Sequence, residues 1–150
     1  MRSAIFVILG ASATALLGGC AAAHSPQILQ INKMINELDV GDLGTVVCDV
    51  THQPGTFDPS SNRHLRQIGF ANADVATGAV ELLETSNFVV VNESQTSRGN
   101  LLNFESHGDM TASVGTVTGD HAGDVIPTDG QEDCLVPDDG LTFVSFSLPQ

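Results

Sequence analysis

The chain has 150 residues, 41% of them hydrophobic, enough for one domain with its own core and unlike a coiled coil or a disordered tail. Eighteen acidic residues stand against five basic ones, a net charge of −13, so the surface repels phosphate backbones and nucleic acid is excluded as a partner. Tryptophan and tyrosine are absent, which leaves seven phenylalanines for any stacking on bases or sugar rings.

Met1-Arg2-Ser3 is a short positive start, and residues 4–17 then run without a charge. A bilayer-spanning helix needs roughly 20 apolar residues, whereas a run of this length suits the core of a signal peptide. Leu17-Gly18-Gly19-Cys20 follows. Small residues ahead of a cysteine let the chain lie extended in a peptidase cleft, and the thiol is the nucleophile that accepts diacylglycerol. These four residues resemble the lipobox of bacterial lipoproteins; an ordinary secretory signal or an uncleaved anchor is the alternative. The resemblance implies removal of residues 1–19, a thioether-linked diacylglycerol on Cys20 and an acyl group such as palmitate on its amine. Two or more chains hold a protein on a membrane stably, where one does not. By resemblance to enterobacterial lipoprotein sorting, Ala21 in place of aspartate implies passage to the outer membrane, facing the periplasm. The expected organisation is a signal peptide (1–19), a lipidated tether (20–25) reaching under ~20 Å when extended, and a single globular domain (26–150).

Ser25-Pro26 opens a helix well, serine as cap and proline in the first turn. Ile28, Ile31, Ile35 and Leu38 follow at 3-4-3 spacing, with Leu29 and Met34 widening the stripe and Gly41 as the stop, which predicts a helix over 26–39. Such a stripe packs on its own domain or, in the sharper reading, is a docking or oligomerising helix, which makes Ile28, Ile31, Ile35 and Leu38 candidate partner-binding residues. Residues 43–50 (LGTVVCDV) read as a strand, 53–62 as a loop with Pro54-Gly55 and Asp58-Pro59 turns, and 64–70 as ambiguous. Asp74 caps a second helix whose face is Val75, Ala76, Ala79, Val80, Leu82 and Leu83, ending near Ser86. Residues 88–91 form a strand of high β-propensity, with shorter strands near 100–105 and 110–118. Residues 119–140 read as a loop closed by the Pro137-Asp138-Asp139-Gly140 turn, before a last strand at 141–148. The order predicts an α+β or α/β fold: an N-terminal amphipathic helix, one βαβ-like unit over 43–92 and a mixed sheet completed by C-terminal strands.

With Cys20 acylated, Cys48 and Cys134 are an even pair in an oxidising compartment and read as a disulfide, two free thiols being the alternative. The bridge would tie the aspartate-rich segment to an early strand.

Residues 79–92, AVELLETSNFVVVN, resemble the helix-then-strand unit of envelope lipoproteins of the curli-secretion-pore and penicillin-binding-protein-activator type. Leu83, Ser86, Phe88, Val90 and Val91 carry the match, and Val114-Gly115-Thr116-Val117 stands for a later glycine-containing strand. Asn92-Glu93 replaces the charged pair, with its arginine, that usually follows. The resemblance implies a binding or assembly role, and no functional residue carries over.

Catalytic signatures are missing: no HExxH, GxSxG, SxxK or phosphate-binding glycine loop occurs in the sequence. His107-Gly108-Asp109 and Asp120-His121 would hold zinc only if the fold brought them together. The acids of 119–140 are either a solvated loop or a calcium site, with Asp129, Glu132 and Asp133 as first choices. The expectation is a protein without a required cofactor: a non-catalytic envelope lipoprotein that binds or scaffolds an envelope assembly. A cation-responsive or solute-binding module is the runner-up, and a small envelope hydrolase comes third.

Overall fold

The computed structural model describes residues 25–54, 62–106, 108–126 and 133–150. Helix α1 (Pro26–Glu37) begins as its sequence dictates. Ser25 is extended, its hydroxyl accepts the Ile28 N–H at 3.2 Å, and Pro26 fills the first turn. The stop is not Gly41. Asp39 takes the left-handed conformation at φ 49°, ending the helix earlier, and Val40–Leu43 continues as a 3-10 turn.

Strands β1 (Val46–His52) and β2 (Arg63–Ala71) pair antiparallel. Helix α2 (Val75–Thr85) is entered through Asn72, whose side-chain oxygen accepts the Asp74 N–H at 2.7 Å; Asp74 itself makes no side-chain cap. The exit is a paired cap. Asn87 sits at φ 66°, its N–H donates to the Glu84 carbonyl, and the Phe88 N–H reaches back to the Leu83 carbonyl at 3.0 Å. Phe88 and Leu83 are both buried there, so the cap turns the chain straight into β3 (Val89–Gln95). A meander of β4 (Asn100–Glu105) and β5 (Thr111–Val117) follows. The stretch read as loop contains a 3-10 turn at Gly119–His121 and a small hairpin, β6 (Val125–Ile126) with β7 (Cys134–Leu135). The Pro137–Gly140 turn closes with the Gly140 N–H donating to the Pro137 carbonyl at 3.0 Å, Gly140 at φ 82°. Strand β8 (Leu141–Pro149) ends the fold.

The fold is α+β. The main sheet has the order β1-β2-β8-β5-β4-β3, every neighbouring pair antiparallel. The expected strand–helix–strand unit exists in altered form: β2 and β3 run the same way and α2 joins them, but β8, β5 and β4 lie between. The last strand inserts centrally, so β2 and β5 both find an antiparallel partner in β8 and no parallel ladder forms.

One face packs on the helices. Ile28, Ile31, Ala79 and Leu83 meet Ile68, Phe70, Phe104, Val144 and Phe146 in the main core, where the Phe88 and Phe146 rings stand edge to face at 6.0 Å. A smaller core on the other face, Val50, Val117, Leu141 and Phe143, is roofed by Cys134 and Val136 from the hairpin segment. Among the described residues nothing roofs the rest of that face.

Candidate binding surface

Strand β3 is one edge of the main sheet, and no strand pairs with its outer side among the described residues. Val89, Val90 and Val91 are 60%, 38% and 51% exposed. A register shift between Val90 and Asn92 marks a bulge at Val91, which puts valines on both faces of the edge. Soluble proteins blunt such edges with lysine, proline or a covering loop; here Glu93 and the bulge do so, beside three consecutive valines. Covering all three side chains would contribute roughly 3 kcal/mol, at about 1 kcal/mol for half-burying each. The opposite edge, β1, exposes Val46 and Val47 but has β7 beside it, joined through Cys48–Cys134 with a Cα–Cα distance of 5.7 Å.

Next to β3, the open face forms a groove of about 320 Å³. Small side chains make the hollow: Thr111 and Ser113 on β5, Ser145 and Ser147 on β8. The Arg63 guanidinium lies across it, donating from Nε to the Ser147 hydroxyl and from a terminal nitrogen to the Thr111 hydroxyl, both at 3.0 Å. Thr111 and Ser147 hydroxyls are 2.8 Å apart, and Ser145 donates to the Gln67 side-chain oxygen at 3.3 Å. Thr111 and Ser147 thus bond each other and Arg63, and Ser145 bonds Gln67, on the strands that lie inside β4 from the edge.

Two further networks brace the frame. Arg66 clamps Asp49 on β1 with two bonds, 3.0 and 2.6 Å, and donates to the Asn32 side-chain oxygen on α1 at 2.8 Å. The hydrogen bonds that Arg66 donates to the Asp49 carboxylate raise the arginine's pKa above its ordinary value. At the start of α1, Ser25 binds Gln53 through its N–H and His64 through its hydroxyl, at 3.2 and 3.0 Å. Burial, with His52 nearby, lowers the His64 pKa.

The residues singled out in the sequence are distributed differently from the expectation. Ile28, Ile31 and Ile35 are 0%, 0% and 4% exposed and Leu38 is packed against the same core, so this stripe is consumed by the chain's own sheet and presents no docking face. The exposed apolar residue of α1 is Leu29. Cys20, Asp129, Glu132 and His107 lie outside the described residues. Asp133 is exposed beside the disulfide, on a groove of about 500 Å³ that Asp49 also lines. Asp109 and His121 lie beyond opposite ends of β5, roughly 23 Å long at 3.3 Å per residue, so the imagined zinc pairing does not form. His121 instead contacts Asp124 at 3.2 Å. Among the described residues no three metal-capable side chains converge, and no helix is long and apolar enough to cross a membrane. The β3 edge was missed as a surface: its valines give a strand signal that does not say which side of a sheet the strand will occupy. Compared with known proteins, the chain matches no family model, and no curated protein or solved structure is significantly similar to it.

Proposed function

We propose that this chain is a lipoprotein of the bacterial envelope, anchored through Cys20 and probing for another envelope protein with the open edge β3. Its role in this reading is binding or scaffolding without catalysis. The observation that carries it is the run Val89–Val91, three exposed valines on a strand edge that is unpaired among the described residues and is entered directly from the cap at Asn87. An extended segment of the partner completes the backbone bonds of the edge and covers the valines, the β-addition mode of recognition. A second copy is disfavoured as occupant, since each anchored chain, having lost Arg2 with the leader, carries 18 acidic residues against 4 basic ones.

The test is photo-crosslinking in intact cells with a benzophenone side chain at Val90, and at Leu29 as an exposed control. The reading expects one discrete heterologous adduct from position 90, absent at 29, and lost when Val91→Lys is added to a chain that melts normally. Equal labelling from both sites, or a homodimer as the product at 90, would overturn it.

A further inference from the structure

The first residue bound into the fold among those described is Ser25, through Gln53, Ile28 and His64. Gln53 follows the end of β1 and His64 opens β2, so Ser25 lies at the sheet end where β2 begins. The registers carry this end across the sheet: Arg63 opposite Pro149, Thr111 opposite Ser147 and Glu105, and Val89 opposite Glu105. The other end holds the 3-10 turn after α1, the start of α2, the segment after β5 and the turn before β8.

Charge is divided between these ends. Near Ser25, Arg63 stands with Glu84, Glu105 and Asp109. At the far end are Asp39, Asp42, Asp74, Asp120, Asp138 and Asp139, with Arg98 among them. The nine residues of β8 separate the two by roughly 30 Å, more than three screening lengths of ~8 Å at physiological salt.

We propose that the Ser25 end of the sheet faces a lipid surface and the aspartate-rich end points away from it. This rests on the anchoring of Cys20 proposed above. Four residues lie between Cys20 and Ser25, so the near end stays within ~20 Å of the headgroups. The opposite orientation would press the acidic end against lipids that are often anionic. With the near end down, β3 rises from the membrane at Val89 toward Gln95 and its edge stays open to a partner from the side.

The test does not depend on natural acylation. The chain from residue 20 onward is coupled through the Cys20 thiol to maleimide-headgroup lipid in phosphatidylcholine–phosphatidylglycerol vesicles carrying dansyl-headgroup lipid. Because the protein has no tryptophan or tyrosine, a single Gln150→Trp or Asp120→Trp is the only indole donor. Energy transfer to dansyl should be severalfold more efficient from position 150, at the near end, than from position 120, at the far end. Equal transfer, or stronger transfer from 120, overturns the orientation. Native acylation is read separately, by the mass of the N-terminal peptide, so the two ideas fail independently.

Discussion

Gly69 stands opposite Cys48 in the β1–β2 ladder, and the Cys48 sulfur occupies the space a side chain at 69 would need: a Cβ there would lie 2.5 Å from it. The glycine is therefore the seat of the disulfide that holds the β6–β7 hairpin over the smaller core. Gly69→Ala should cost about 2 kcal/mol, the usual scale for overpacking a tight core. Replacing both cysteines by alanine should cost roughly 3 kcal/mol through the freed 86-residue separation in the unfolded chain. The two penalties are not additive. In the Cys48→Ala/Cys134→Ala background the Gly69→Ala penalty should fall by half or more, because the sulfur is gone. Urea denaturation of the four proteins measures this, and an undiminished penalty would show that something other than the sulfur resists the methyl group.

A second prediction concerns pH. His64 is 7% exposed. The Ser25 hydroxyl, which accepts the Ile28 N–H, also shares a hydrogen bond with the His64 ring nitrogen Nδ1 at 3.0 Å, and either atom can donate. Burial first, and the nearby His52 second, lower its pKa from 6.5. The folded state then binds fewer protons than the unfolded state between the lowered value and 6.5. Stability is complete above pH 6.5 and declines as pH falls through that window. Between pH 7 and 5.5 the melting temperature of the wild type should drop more than that of His64→Gln. Parallel curves would assign the pH dependence to other groups.

What could be read in advance follows physical lines. Both helices were legible because each carries a stripe at helical period and ends in residues that satisfy its terminal groups, although Asp39 and Asn72 displaced Gly41 and Asp74 in those roles. The disulfide followed from counting cysteines. Strand β2 was hidden because its alternation, His64, Arg66 and Ile68 toward the helices and Leu65, Gln67 and Gly69 away, mixes polar and apolar residues on both faces. Those polar groups are satisfied only by partners distant in sequence, Ser25, Asn32 and Asp49 among them. The central place of β8 was equally out of reach, since no local pattern records that the last strand enters between the second and the fifth. The same limit explains the surface. Residues 89–91 read as a strand in any case, and only the finished topology shows that this strand is an edge.

The Arg66–Asp49 clamp yields a third prediction. The pair ties β1 to β2 and, through Asn32, to α1. Both side chains are partly open to water, 23% and 40% exposed, so screening reduces the contribution to about 1 kcal/mol, near the upper end for exposed pairs. A double-mutant cycle with Arg66→Met and Asp49→Ala should give a coupling of that size at low salt, and about half of it in 0.5 M sodium chloride, where screening shortens to a few ångströms. A coupling indistinguishable from zero at low salt would mean that the bidentate geometry contributes nothing beyond its parts.

The last prediction separates the anchor from the fold. The main core among the described residues begins at Ile28, so the expectation is that a change at Cys20 leaves that core intact. In cells, the wild type should sediment with membranes, require detergent for release, and give an N-terminal peptide beginning at Cys20 whose mass includes diacylglycerol and a further acyl chain. Cys20→Ser should lose those masses. Domains cut from both proteins by limited proteolysis ahead of Ser25 should melt within one degree of each other, on the order of the error for a surface change. An unmodified peptide beginning at Met1 in the wild type would remove the anchor, the envelope location and the reason to read β3 as a surface that waits beside a membrane, while leaving the fold and its disulfide as they stand.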